Sequence, residues 1–270
     1  MKPDIPESLV TAIKQKRAIL FAGAGLSCSL GLPLFDVLTT HLAEELGMQD
    51  SHDIEFPVLA EYYLLQTSKQ QEFFDWMRKT WHPENIRICA SAAHNDILEL
   101  NFPVIYTTNY DSWLERSFAE RGKPFRRIIG VADLAETKPD ETEIIKFHGD
   151  FDTPASIVIT ESHFLRRMAL EEPLDIRLRS DSLARPILFV GYSLSDPNIR
   201  YLLYRLRQLW SQHTGDDDTS PSSYILMVER NEVQERLLIE RGVEPIVYEE
   251  SDPSVGLTNF FEALREAVKK

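Results

Sequence analysis

Two short motifs near the middle of the chain carry side chains suited to chemistry. The motif YTTNYD places Asn109 and Asp111 two residues apart, where an amide and a carboxylate offer hydrogen-bond donors and acceptors to a ligand. The motif IIKFHGD places His148 directly after an apolar run, and histidine is the side chain best able to exchange a proton near neutral pH. The alternative is structural, since Asn109 and Asp111 serve equally well as helix caps and a single histidine is more often structural than catalytic.

A glycine motif near the N-terminus, FAGAGLSCSLGLP, has the composition of a phosphate-binding turn. In this stretch (21–33), Gly23, Ala24 and Gly25 follow a short apolar run, and such small residues let the backbone approach an anion closely. No Gly-Lys-Ser/Thr follows, which excludes a Walker A loop, and Cys28 stands where a dinucleotide fingerprint has its third glycine. A tight turn without any ligand is the alternative.

A second glycine motif, FVGYSLSDPN (189–198), follows another apolar run. Gly191 ends that run, Ser193 and Ser195 come next, and Asp196 before a proline is typical of a helix start. The nucleophile-elbow pattern GxSxG is not met, because Ser195 stands at the position of the last glycine. The pattern also requires an acid and then a histidine later in the chain, and the histidine that follows is His213, in a polar loop. Asp196 is equally well explained as a plain helix cap.

Strand and helix patterns alternate along the chain and place these motifs. Short apolar runs predict strands at 18–22, 104–107, 127–129, 143–147, 157–160, 187–190, 224–228 and 245–248. Helical periodicity predicts helices at 6–16, 34–46, 161–184 with a break near Pro173, 196–210, 231–241 and 257–268. Such alternation is typical of α/β proteins with a Rossmann-like parallel sheet and helices on both faces.

The stretch 34–101 contains no convincing strand and is predicted to be an all-helical insertion within a single domain spanning 1–270. The polar segment 211–222 is interpreted as a solvated loop rather than a domain boundary, because regular patterns resume directly after it. Each of the four motifs follows a predicted parallel strand. Their residues are therefore expected at one edge of the sheet, where α/β proteins bind their ligands.

Composition limits the partners and the location. Lys and Arg number 29 against 43 Asp and Glu, and the formal charge of −14 disfavours direct binding to nucleic acid and to an anionic membrane surface. The two cysteines, Cys28 and Cys89, form no CxxC pair and so supply no zinc ribbon. The acidic N-terminus and the lack of long apolar runs predict neither a signal peptide nor a membrane span, and hence a cytoplasmic protein.

Taken in chain order, the motifs resemble those of the sirtuin superfamily, whose members bind NAD. The matching elements are GAG-x-S at 23–27, G-x-P at 31–33, T-x-N-x-D at 107–111, HG at 148–149 and G-x-S at 191–193. The segments ITESHF at 159–164 and GYSLSDPNI at 191–199 resemble the sirtuin-like domains of prokaryotic antiphage defence proteins. The resemblance runs from residue 21 to the C-terminus and implies an NAD-binding α/β fold.

Two departures from the sirtuin deacylases bear on the chemistry. Deacylases carry a four-cysteine zinc module after the histidine, whereas no cysteine follows Cys89 in this chain, so no zinc is expected. Deacylases also read G-I-P-D-F-R where residues 31–36 read GLPLFD; Phe35 is kept, but Leu34 and Asp36 replace the acid and the arginine. These differences disfavour chemistry on acyl-lysine peptides and leave NAD binding and glycosidic cleavage in place.

The resemblance also assigns NAD contacts to particular residues. It implies that the pyrophosphate is lined by Ala22, Gly23, Ala24 and Ser27. It places Gly191 and Ser193 beside the adenosine half of the nucleotide. It places Glu229 at the adenine ribose, with Asn231 as an equally good candidate for that contact.

The activity favoured by this resemblance is hydrolysis of NAD⁺ to nicotinamide and ADP-ribose. Asn109 and Asp111 would surround the nicotinamide ribose and the carboxamide, and His148 would contact the ribose. Because nicotinamide leaves as a neutral molecule, no general acid is needed. Asn109 would orient the attacking water or the ribose hydroxyls, and His148 would accept the proton. In an antiphage setting such an enzyme would deplete NAD.

Two alternatives remain, and the partners follow from the resemblance. The chain is alternatively an NAD- or nucleotide-binding assembly or sensor subunit without turnover, or, less favoured, an NAD-dependent protein deacylase.

The resemblance implies a homo-oligomer activated in a complex, with a hexameric helicase-like ATPase as a candidate partner. The insertion holds aromatic residues that suit either self-association or a core: Phe56, Tyr62, Tyr63, Phe73, Phe74, Trp76 and Trp81.

Overall fold

Strands of four or five residues form one parallel sheet, as the alternating pattern predicts. The computed structural model describes residues 3–48, 54–136, 138, 140–192, 196–214 and 222–270. Within these ranges the strands are β1 (Ile19–Ala22), β2 (Val104–Thr107), β3 (Phe125–Ile128), β4 (Thr142–Lys146), β5 (Ile187–Val190), β6 (Ser223–Met227) and β7 (Val243–Val247). Their order across the sheet is β3-β4-β2-β1-β5-β6-β7, and every neighbouring pair is parallel. The predicted α/β class is confirmed.

Helices connect the strands and cover both faces of the sheet. The described residues form α1 (Glu7–Lys14), α2 (Ala24–Cys28), α3 (Phe35–Glu45), α4 (Phe56–Thr67), α5 (Gln70–Trp81), α6 (Ala92–Leu100), α7 (Trp113–Glu120), α8 (Val131–Ala135), α9 (Glu161–Arg167), α10 (Pro173–Ala184), α11 (Pro197–Thr214), α12 (Glu232–Glu240) and α13 (Pro253–Lys269). The break predicted near Pro173 separates α9 from α10. None of these helices combines the length and the apolar character that crossing a bilayer requires.

The central strands are buried on both faces because each face packs on a helical layer. Along β1 the side chains alternate: Leu20 belongs to one hydrophobic cluster and Phe21 to the other, and both are fully buried. The ring of Phe21 stacks on Tyr106 of β2 and contacts Phe189 of β5, at centroid distances of 5.9 and 5.1 Å. This aromatic row ties the three central strands together just below the edge where the motifs lie.

The prediction of a strand at 157–160 is wrong. This segment follows a short 3₁₀ turn and joins no strand of the sheet among the described residues. Ile157 and Ile159 are nevertheless buried, because they pack into the cluster formed by α3, α4 and α5. Thr160 then ends the segment as the N-cap of α9, where its side chain accepts a hydrogen bond from the N–H of His163. The short apolar run is buried here without pairing in the sheet.

Helices α3, α4 and α5 share a hydrophobic cluster of their own beside the sheet edge. Most of the aromatic residues of this part of the chain lie inside it, with Tyr63, Phe73 and Phe74 buried and Tyr62 about half exposed. Two aromatic residues from loops of the sheet edge, Tyr110 and Phe151, complete the cluster. By contrast, α6 packs into the core under the sheet. The helical cluster therefore forms a wall against the loops that follow β2 and β4.

Helix α6 contains a buried histidine that makes the fold sensitive to acid. His94 is 1% exposed, and burial lowers its pKa from 6.5 to about 4. The folded state therefore favours the neutral imidazole. The contribution of His94 to the free energy of unfolding is complete above pH 6.5. It decreases by about 3 kcal/mol as the pH falls to about 4.

Denaturant unfolding at several pH values tests this prediction. The substitution His94→Asn keeps a short acceptor facing Ser91, whose hydroxyl oxygen lies 2.8 Å from Nδ1 of His94, but it cannot titrate. We expect the free energy of unfolding of this variant to vary less between pH 7 and pH 4 than that of the parent. Parallel curves for the two proteins would contradict the assignment.

Candidate functional site

The topology of the sheet creates a crevice at the carboxyl end of β1. From β1 the chain first builds β2, β3 and β4 on one side and then returns to build β5, β6 and β7 on the other. The last residues of the three central strands, Ala22, Thr107 and Val190, lie side by side in register. Loops on the two sides of such a reversal separate and leave space for a ligand. Three of the four motifs open directly from these strand ends, and that of His148 follows β4 beside them.

The first two motifs are joined by a chain of hydrogen bonds across the crevice. The side-chain amide of Asn109 donates to the Gly23 carbonyl at 3.0 Å and to the Ser27 hydroxyl at 2.9 Å. The Ser27 hydroxyl donates in turn to Oδ2 of Asp111 at 2.7 Å. Because a hydroxyl has one hydrogen, this direction agrees with Ser27 accepting from Asn109. Four residues predicted to bind the same ligand are thus brought together, and Ser27 and Asp111 are almost fully buried.

A pocket lies between this network and the helical cluster. It has about 340 Å³ of empty space, part of it open to solvent, and its lining is formed by Ala24, Ser27, Pro33, Leu34, Phe35, Leu38, Met77, Trp81, Asn109, Tyr110 and Asp111. One side is polar, with Ser27, Asn109 and Asp111, and the other side is apolar and aromatic. Such a combination suits a flat ring that carries a polar substituent.

His148 lies in a tight turn that positions its side chain. Gly149 has a φ of +89°, and a Cβ atom there would lie 2.3 Å from the Ser156 carbonyl oxygen, so only glycine fits. The carbonyl of His148 accepts a hydrogen bond from the Val158 N–H at 2.9 Å, and its ring packs edge-on against Phe164. The turn after β4 is therefore held by the 153–164 segment, and His148 is buried.

Asp196 is the partner of His148 in the structure. Its Oδ2 lies 3.0 Å from Nε2 of His148, and its Oδ1 caps α11 by accepting from the N–H of Asn198. Burial raises the pKa of Asp196, but the contact with His148 and the backbone hydrogen bonds outweigh it, so the pKa lies below its usual value. Sequence reasoning noticed only the cap. The Asp-Pro-Asn helix start gives no sign of a partner 48 residues away.

Several buried polar atoms around this pair have no aligned hydrogen bond within the described residues. They are the Tyr192 hydroxyl and both polar side-chain atoms of Asn198. Burial, and secondly the nearby Asp196 carboxylate, raise the pKa of Tyr192 well above its usual value, so Tyr192 remains a neutral hydroxyl. Buried polar groups are normally paired, so this cluster is suited to a ligand with hydroxyl groups.

The second glycine motif packs directly on the first. The N–H of Gly25 donates to the Gly191 carbonyl at 2.8 Å. Gly191 has a φ of +57°, and a Cβ atom there would lie 2.5 Å from the backbone nitrogen of Leu26. The loop after β5 thus approaches α2 backbone to backbone, which explains the glycines without reference to any ligand.

The remaining predicted residues are placed as follows. Ala24 begins α2 and lines the pocket, whereas Ala22 is buried at the end of β1. Glu229 is exposed after β6, and its rival Asn231 caps α12 by accepting from the Gln234 N–H at 3.0 Å. Ser193 lies outside the described residues.

Among the described residues no cluster of three or more His, Cys, Asp or Glu side chains is arranged to hold a metal ion.

Known proteins share the fold and the sequence family of this chain. The family model described as "SIR2-like domain" matches residues 103–246, more than half of the chain. A solved structure described as a Sir2 homologue–NAD complex covers 99% of this chain and 96% of its own, with a TM-score of 0.55 at 12% identity, which shows a shared fold.

Three curated relatives are similar in sequence. "NAD(+) hydrolase ThsA" of Cytobacillus dafuensis is 28% identical over 90% of this chain and 48% of its own length. The protein of the same name from Enterococcus faecium is 31% identical over 73% of this chain and 41% of its own. "Defense-associated sirtuin 2" of Bacillus subtilis is 26% identical over 75% of this chain and 20% of its own. The chain therefore spans at most about half the length of these relatives. The resemblance to the sirtuin superfamily is confirmed, and the chain belongs to the SIR2-like domain family.

Proposed function

We propose that this protein hydrolyses the nicotinamide–ribose bond of NAD⁺ and releases nicotinamide and ADP-ribose. The observation that carries the proposal is a hydrogen-bond network that joins Gly23, Ser27, Asn109 and Asp111 at the crevice of the sheet. All but Gly23 line the pocket. The name of the ThsA relatives, NAD(+) hydrolase, supports the same substrate.

In this proposal the pocket takes the nicotinamide ring. The apolar wall, which includes Phe35 and Trp81, packs on the ring face, while Ser27 and Asp111 lie on the polar floor near the carboxamide. The pyrophosphate runs over the first glycine motif, along Ala22, Gly23, Ala24 and Ser27. The adenosine half follows Gly191 and Ser193 towards Glu229.

The chemistry needs one nucleophile and one base. The C1′–N bond breaks, its electron pair stays with the neutral nicotinamide, and the ribose passes through an oxocarbenium-like state. A water held by the Asn109 side chain attacks C1′, and His148 accepts the proton that this water loses. Asp196, 3.0 Å from the imidazole, stabilises the charge that His148 acquires. No step calls on a metal ion.

The biological role proposed is NAD depletion during antiphage defence. The relative named a defence-associated sirtuin supports this setting. Since unrestrained hydrolysis would harm the host, we propose that the chain acts in the cytoplasm within a complex. The complex consists of further copies of the chain and a helicase-like ATPase that responds to infection.

Chromatography of the reaction products tests the proposal. Purified protein is incubated with NAD⁺, alone and with lysate from phage-infected cells, and nicotinamide and ADP-ribose are quantified in equal amounts. Calorimetry measures NAD⁺ binding in parallel. Binding without products under either condition would contradict the hydrolase and favour a nucleotide-binding subunit, and release that depends on an acylated peptide would indicate a deacylase.

A further inference from the structure

Beneath the site lies a lysine that the proposed reaction does not use. Lys146 is the last residue of β4, and its side chain is fully buried. Its Nζ donates a hydrogen bond to the backbone carbonyl of Asp111 and lies 3.3 Å from Oε1 of Glu115 and 3.9 Å from Oδ2 of Asp150. An ammonium group has three donors, and taking it out of water is costly unless they are met. The Asp111 carbonyl accepts one hydrogen bond from the ammonium, and the two carboxylates lie close enough to balance its charge.

Two of the three partners of Lys146 belong to the loops that carry the proposed catalytic residues, and Glu115 lies on α7. Asp111 lies two residues after Asn109, and Asp150 lies two residues after His148. In the sheet, Lys146 is paired with Thr107, the strand residue from which the Asn109 loop starts. The ammonium therefore sits under the base of both loops and contacts each of them.

The contacts of Glu115 separate two explanations for this lysine. If the lysine served only to neutralise Glu115, the two groups would be expected to form an aligned hydrogen bond. Neither carboxylate oxygen of Glu115 has such a partner in the described part of the chain. Burial keeps the pKa of Glu115 above its usual value even though Lys146 opposes that shift. The direct hydrogen bond of the ammonium goes to the Asp111 carbonyl instead.

We infer that Lys146 is a positioning residue for the proposed hydrolysis of NAD⁺: it holds the Asn109–Asp111 loop through the Asp111 carbonyl and keeps it in place relative to the loop of His148. The inference rests on the proposed function for its catalytic consequence. The loop is thus held from two sides, by the Asn109 amide bonds to Gly23 and Ser27 above and by the ammonium below.

A pair of variants tests the inference. The double variant Lys146→Met with Glu115→Gln removes the cation and neutralises its closest carboxylate, while Asp150 keeps its ion pair with Arg127. The single variant Glu115→Gln is the matched control, because it retains the ammonium and its bond to the Asp111 carbonyl. We expect the double variant to lose about 100-fold in kcat for NAD⁺ relative to the control with little change in KM, since loop misplacement acts on the reacting geometry.

Amide hydrogen exchange gives a readout that does not depend on activity. Two amides of the loop are protected by local bonds, Asn109 N–H to the Thr107 hydroxyl and Trp113 N–H to the Asp111 carboxylate. We expect peptides covering 107–113 to exchange faster in the double variant than in Glu115→Gln, with no change in α12. If no protein of the set hydrolyses NAD⁺, the proposed function fails, and this exchange still decides whether Lys146 holds the loop.

The inference is overturned if the double variant matches Glu115→Gln in kcat and in the exchange of 107–113. If the double variant with methionine does not fold, the double variant Lys146→Gln with Glu115→Gln replaces it. Both side chains are then neutral and polar, and the glutamine at position 146 is shorter than lysine and does not reach the Asp111 carbonyl. The same loss of kcat and the same faster exchange are expected of it, and parent-like values would overturn the inference equally.

Discussion

Replacing Asn109 by alanine is expected to lower the release of nicotinamide from NAD⁺ by about 100-fold or more while the protein stays folded. The amide of Asn109 makes two side-chain hydrogen bonds, to Gly23 and to Ser27. Losing them costs about 1 kcal/mol each, which is small beside the 5–15 kcal/mol (roughly) that stabilise a typical domain. The activity falls because the water or ribose hydroxyl that the amide orients is no longer held.

A second substitution at this position sharpens the result. Asn109→Asp keeps the shape of the side chain but replaces both donated hydrogens by carboxylate lone pairs, which would face the Gly23 carbonyl and lie near Asp111. It should therefore be at least as inactive as the alanine variant. Asn95→Ala is a suitable control, since Asn95 also donates to a carbonyl, that of Cys89, but lies on α6 away from the pocket. Parent-like turnover in both Asn109 variants would remove Asn109 from the mechanism.

The second large effect is expected at the pair of His148 and Asp196. His148→Ala removes the proposed base, and general-base catalysis contributes about 100- to 10,000-fold. Asp196→Asn is more informative. It keeps an oxygen to cap α11 at the Asn198 N–H but removes the charge 3.0 Å from the imidazole. We expect this variant to lose about 10- to 100-fold in kcat and to unfold near the temperature of the parent.

A capping aspartate elsewhere in the chain provides the control for Asp196. Asp252 is exposed and accepts from the Ser254 N–H at 2.8 Å at the start of α13, so Asp252→Asn makes the same chemical change at the start of a different helix. Its kcat should equal that of the parent. Steady-state rates and thermal unfolding of the three variants measure both effects. If Asp196→Asn and Asp252→Asn behave alike, Asp196 serves only as a cap.

Much of the fold was predictable because its signals are local. Short, fully apolar runs such as those of β1 and β5 predict buried parallel strands, and glycines directly after them predict tight turns at one edge. The failure at 157–160 has the same origin. A short apolar run indicates that a segment is buried. It does not indicate whether the backbone pairs with a strand or whether the side chains, like those of Ile157 and Ile159, pack against helices.

The sequence alone predicts that Asn109, Asp111 and His148 lie at one edge of the sheet, because each follows a predicted parallel strand. The tertiary structure was needed to bring Asp196 to His148 and Lys146 to the Asp111 carbonyl. These contacts join residues that lie 48 and 35 positions apart in the chain. Periodicity and motif spacing describe each loop separately, whereas the packing of parallel strands decides which side chains of neighbouring loops meet.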